Sequence, residues 1–143
     1  MKSETDLERQ VIQHILQGDH PSLSQLRAQW QLATLKNREF SGSGFFTNVA
    51  VPADARSLGQ SVNFEIGDVN GDISGVSCGF LLFIRGGVID FLECHVWGDK
   101  SFPPTPVVNR LFFMRHRDAH DPMLVESADR DGEALFRKLP RPE

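Results

Sequence analysis

No stretch of this chain approaches the roughly 20 consecutive apolar residues that cross a membrane, and its opening, Met1-Lys2-Ser3-Glu4-Thr5-Asp6, leads into charge instead of a signal-peptide core. The expectation is a soluble, cytoplasmic protein with no membrane partner. Cysteine is scarce. Two residues and no Cys-x-x-Cys pair exclude a disulfide framework and leave reduced thiols as the simplest reading. A basic patch is missing too: the formal net charge is -4 and Lys and Arg are scattered along the chain, so the electrostatic footprint of a nucleic-acid binder is absent.

Cofactor signatures are equally thin. Ser41-Gly42-Ser43-Gly44 is followed by neither Lys-Ser/Thr nor a helix start, so it is no phosphate loop. Asp68-Val69-Asn70-Gly71-Asp72 opens like a calcium loop, yet Ile73 stands where that motif needs Gly, and Gly79 where it needs a bidentate Glu. An Asx-rich turn explains it better. His116 and His120 have a spacing that suits a metal only on a helix, and Pro122 with its polar surroundings argues for a loop without a third ligand. No cofactor and no metal are expected.

What is present is a core. With 143 residues, 40% of them hydrophobic, one domain can bury well over half of its unfolded surface unaided. Its centre is the stretch from Gly79 to Trp97, where two β-prone runs flank Gly86-Gly87, a pair able to take the positive φ of a tight two-residue turn. Upstream, Leu7, Val11, Ile12, Ile15 and Leu16 recur at helical spacing, and Gly18 and Pro21 separate them from a second stripe of Leu23, Leu26, Trp30 and Ala33. Beyond Ser41–Gly44 the chain reads as strands over about 45–51, 62–66, the central hairpin and 107–114, with Gly67–Asp72 as a turn.

The fold class expected is therefore α+β, two N-terminal helices packed on one face of a mainly antiparallel sheet of about five to six strands. Residues 1–143 read as a single domain, compact to about 115. The polar remainder, 116–143, is expected to be partly mobile and to add an edge strand and a short helix near Ala134-Leu135-Phe136.

Two groups of residues stand out as candidate sites. Counting outward from an Arg85–Val88 pair sets Phe80 beside Glu93 and Cys78 beside His95. That places a thiol, an imidazole and a carboxylate at the open end of the hairpin, the ingredients of a Cys-dependent hydrolase or thiol enzyme. Against this, free Cys is commonly a small buried hydrophobe, and a one-residue slip in register dissolves the cluster. The second group is aromatic: Phe45, Phe46, Trp97 and Phe102 fall near strand ends and loops and are candidates for a binding surface.

Arg38-Glu39-Phe40-Ser41-Gly42-Ser43-Gly44-Phe45-Phe46-Thr47, with Gly79 to Gly87 and Phe91-Leu92-Glu93, resembles a group of small uncharacterised bacterial proteins over roughly residues 23 to 98. The resemblance implies a bacterial, soluble, single-domain protein and carries no activity onto any residue. The functional expectation is a non-catalytic domain that binds another protein or a second copy of itself, in the manner of an immunity, antitoxin or regulatory partner. A thiol enzyme and a small-molecule binding module are the alternatives.

Overall fold

The computed structural model describes residues 5 to 141. Two helices, α1 (Thr5–Ile15) and α2 (Pro21–Leu32), precede five strands: β1 (Thr34–Ser41), β2 (Gly44–Ala50), β3 (Phe64–Ile73), β4 (Val76–Arg85) and β5 (Val88–Val96). Then come β6 (Val108–His116), β7 (Leu124–Ser127) and a short helix, α3 (Gly132–Lys138). The fold is α+β, and the sheet has seven strands in the order β1-β2-β5-β4-β3-β6-β7, every neighbouring pair antiparallel. No helix among the described residues is long and apolar enough to cross a membrane.

The strand count exceeds the five to six expected by the first edge strand, β1. β1 is an edge strand whose polar side chains are mostly exposed, so it lacks the apolar alternation that marks a half-buried strand. The opposite edge is β7, four residues long. The expected turn at Gly67–Asp72 is also corrected: these residues continue β3, and the chain reverses later at Ser74-Gly75, where both φ values are positive (52° and 85°). The turn-forming letters are there because β3 carries a bulge at Gly67-Asp68, between the pairs Ile66–Leu82 and Val69–Phe80.

One sheet face is covered by the helices. α1 lies over β3, β4 and β6, and α2 over β5. Leu7, Val11, Ile12, Ile15, Leu23 and Leu26 bury against Phe45, Ile66, Val69, Phe80, Leu82, Ile84 and Leu92. Burying a large apolar side chain contributes about 1.5–3 kcal/mol, so this layer is the main source of stability.

Three polar devices tie the layers together. Glu8 on α1 is buried, and its carboxylate receives a two-pronged bond from Arg38 of β1 (2.8 Å on each oxygen) and a third from the Thr47 hydroxyl of β2 (2.8 Å). Gln29 of α2 is buried as well: its amide donates to the carbonyls of Arg56 (3.0 Å) and Gly87 (2.9 Å) and accepts from the Ile89 N–H (2.9 Å). It thereby clamps α2 to the central turn.

The third device is Arg130, which holds the C-terminal segment. It donates to the carboxylate of Asp68 and to the carbonyls of Ile15 and Gln17 at the end of α1. α3 is capped by Asp131 and buries Leu135; Phe136 packs beside His20 with ring centroids 5.0 Å apart. The expected edge strand and short helix in this region are both formed.

Candidate functional site

The central hairpin turns at Gly86-Gly87 with φ of 59° and 75°, and Arg85 pairs with Val88. Its register then departs from a plain outward count. After the Ile84–Ile89 pair the next is Phe83–Phe91, with Asp90 as the extra residue, and Cys78 comes to lie opposite Val96 while Phe80 faces Cys94 and Gly79 faces His95. The hydrophobic effect accounts for the slip. Unbroken alternation from Ile89 would push Phe91, Glu93 and His95 under the helices, whereas the bulge buries Leu92, Cys94 and Val96 there instead.

The expected Cys78, His95 and Glu93 cluster is therefore not formed: Cys78 points to the helix-covered face, and His95 and Glu93 to the other. Cys78 meets Cys94, and both are free and inaccessible to solvent. Cys78 Sγ donates to the Val76 carbonyl (3.7 Å); the neighbouring Cys94 thiol holds the Cys78 thiol below its ordinary value, and Cys78 with burial pushes Cys94 well up. No imidazole or carboxylate of the hairpin reaches either sulfur from across the sheet, so the arrangement of a base-activated nucleophile is missing.

The four candidate aromatics divide between two places. Phe45 is buried beneath the helices, with Phe102 packed on it at 4.9 Å between centroids and Phe40 at 6.2 Å. Phe40 and Phe102 border a cleft of about 330 Å³ between the start of α1 and the Pro103–Pro106 segment. Phe46 and Trp97 instead join the face that no helix covers.

That open face holds a cluster of half-buried aromatic side chains. Phe83 and Phe91 stack face to face at 4.3 Å, and Phe46 meets Phe91 edge-on at 6.3 Å. The Arg85 guanidinium lies over both stacked rings, 5.6 and 5.7 Å from their centroids, and pairs with Asp90. Along one row across the sheet run Glu39, Phe46, Glu93 and Leu81.

Further along, the His95 and Trp97 rings meet edge-on at 4.4 Å above Gly79. A Cβ on Gly79 would come within 2.6 Å of the imidazole and 3.1 Å of the indole nitrogen, so glycine is what lets both rings approach the sheet here. With the Asn70 amide turned so that its oxygen faces the indole, the Trp97 N–H donates to it at 3.3 Å, and Phe112 of β6, under Arg110 at 4.9 Å, closes the row. Trp97 is 54% exposed.

Sequence reasoning named Phe46 and Trp97 and missed Phe83, Phe91 and Leu81. The signal was available: counting back by twos from Trp97 through His95 and Glu93 reaches Phe91 without crossing the bulge. His116 and His120 are also apart in role, the first ending β6 with its Nδ1 3.1 Å from the Asp121 carbonyl and the second in the turn beyond. Asp68 is taken up by Arg130, and Asp72 accepts from the Gly75 N–H (2.7 Å) and the Asn109 amide (3.3 Å). No family model, curated protein or solved structure matches this chain.

Proposed function

We propose that this protein is a cytoplasmic, non-catalytic binding domain that takes another protein onto the open face of its sheet, as a regulatory, immunity-like or antitoxin-like partner does. The observation that carries this reading is the Phe46, Phe83, Phe91 and Leu81 patch on a face that no helix covers. Contiguous apolar surface of this kind is retained in water at a cost in solubility, and aromatics with an overlying Arg are the residue types that anchor interfaces.

Charge selects the partner. Glu93 lies within the patch and Glu65 borders Phe83, and among the described residues neither has an ion-pair partner. A partner with apolar side chains flanked by Lys or Arg answers both features. A two-fold passing through Glu93 would bring the carboxylates of two copies together, which favours a different protein over self-association through the patch centre.

The test is to place a photo-crosslinking phenylalanine analogue at position 91 and irradiate in cells of the source organism. A discrete adduct with a different protein, lost in a Glu93→Lys/Phe83→Ser background, is the expected result. An adduct with a second copy replaces this reading by homodimerisation, and the absence of any adduct sinks it.

A further inference from the structure

Beside the patch, the sheet comes apart. Strands β3 and β6 pair from Ile73 to Val69 on one side and from Val108 to Phe113 on the other, and there the ladder stops. Both strands continue. β3 runs on to Phe64 paired only with β4, and β6 to His116 paired only with β7.

The direction of the unused main-chain groups follows from the alternation of an antiparallel ladder. Arg85 and Val88 close the two-residue turn and face each other, so Ile84, Leu82 and Phe80 turn their N–H and C=O groups to β3, where they meet Phe64, Ile66 and Val69. Glu65 and Gly67 consequently turn theirs toward β6. On β6, Phe112 and Arg110 face Asn70 and Asp72, so Met114 and His116 face β3 in the same sense. Among the described residues no backbone or side-chain group bonds the main chain of Glu65, Gly67, Met114 or His116 across this gap.

The gap is real space, a cleft of about 330 Å³ between the two strands, with Leu81 on one side and Leu135 of α3 on the other. We propose that the parted strands form a receptor for an extended segment of another polypeptide, which adds as a strand between β3 and β6 with an apolar side chain directed at Leu81 or Leu135. At about 3.3 Å per residue, the five β3 residues (64–68) and three β6 residues (114–116) beyond the last pair match three to five residues of ligand. Unpaired main-chain donors and acceptors on both lips are the complement of a peptide backbone and of little else. The surface adjoins the aromatic patch but rests on a separate observation.

The experiment begins by panning a phage-displayed library of random heptapeptides against the full chain and synthesising the enriched sequence. Backbone amide exchange and chemical shifts then locate it. The expected result is that the Gly67, Met114 and His116 amides exchange quickly in the free protein and at least tenfold more slowly with peptide bound. The same peptide with its central amides N-methylated should bind at least tenfold more weakly, since it keeps the side chains and loses the donors. Met114→Pro, which removes a donor facing the gap and none facing β7, should weaken binding similarly; the N-methylated peptide decides the matter if that variant does not fold. Equal affinity for the N-methylated peptide points to a purely apolar or small-molecule pocket and overturns the proposal. So does a library that yields no binder, or one whose binders shift the Phe83 and Phe91 amides and leave Gly67 and Met114 untouched.

Discussion

Arg130 reaches Asp68 across 62 residues of sequence, with Nε 2.8 Å from one carboxylate oxygen and Nη2 3.0 Å from the other. The same guanidinium donates to the Ile15 and Gln17 carbonyls, so one side chain satisfies the frayed end of α1, holds the β3 bulge and anchors the C-terminal segment. It also lies 4.5 Å above the Phe113 ring.

Arg130→Ala should therefore destabilise by about 2–4 kcal/mol, more than an ordinary surface ion pair, because it leaves a partly buried carboxylate and two helix-end carbonyls without donors. Urea denaturation measures the loss. Arg130→Lys should recover less than half, since an ammonium cannot span both carboxylate oxygens and both carbonyls. A loss below about 0.5 kcal/mol would show the contact to be an ordinary exposed pair.

Glu8 and Arg38 make the complementary case of a buried pair. Their side chains are 1% and 7% exposed, and Thr47 adds a hydroxyl to the same carboxylate. Glu8→Leu removes the carboxylate to which both Arg38 and Thr47 donate and should cost about 3–5 kcal/mol. The double variant Glu8→Leu/Arg38→Met should be more stable than Glu8→Leu alone, because it removes the buried charge together with the carboxylate that balanced it. A double-mutant cycle by thermal or chemical unfolding reads the coupling, and simple additivity would contradict it.

How legible the fold was depends on which rule each residue obeyed. Amphipathic helices and the Gly86-Gly87 turn follow local periodicity and φ preference, and both were readable. Register was not, because it was decided at Asp90 and at Gly67-Asp68 by bulges whose cause is tertiary: apolar residues on both sides of each bulge must face α1 and α2. The spacing of Ile89 to Leu92 and of Ile66 to Val69, three residues where two are expected, was the trace these bulges left. Glu8 and Gln29 escaped notice because a polar residue on an apolar helix stripe looks like noise until its partners are seen. The open aromatic face was half-legible, since Phe46 and Trp97 are in it and Phe45 and Phe102 are not.

The register has a chemical consequence that is simple to measure. With Cys78 and Cys94 both buried under the helices, neither should react with a thiol-specific reagent on the time scale of minutes at neutral pH in the native state, and both should react on unfolding in urea. Rapid titration of one thiol per folded chain would show that the hairpin opens or that its register is different.

The two turn glycines should respond unequally to a methyl group. Both have positive φ, but a Cβ on Gly86 meets only the Gln60 carbonyl at 3.7 Å, whereas on Gly87 it would lie within 2.5 Å of the Gly59 backbone. Gly86→Ala should cost about 1–2 kcal/mol from the left-handed backbone alone, and Gly86→Asn less, because Asn tolerates that region. Gly87→Ala should cost at least 2 kcal/mol more than Gly86→Ala, since the collision is with main chain that the Leu58 N–H bond to the Gly87 carbonyl holds against the turn. Equal losses at the two positions would mean that the Ser57–Gly59 segment moves freely away from the turn.

The last expectation concerns pH. His14, on α1, stacks against Phe113 at 4.6 Å and has a buried Nε2 with no hydrogen-bond partner. Its pKa is lowered from the ordinary histidine value, first by burial and then by the neighbouring Arg130 charge, with Asp68 opposing. The folded protein thus binds this proton less readily than the unfolded chain. Above the ordinary value of about 6.5 both states are neutral at His14 and stability does not depend on it. As pH falls below that value, the unfolded chain takes up the proton first, so stability declines until the lowered folded pKa is passed, and then levels. His14→Leu should remove this component, so the difference in unfolding free energy between variant and parent should shift in favour of the variant between pH 7 and pH 5. A difference independent of pH over that range would show that His14 titrates normally, and that the Arg130 charge is screened from it.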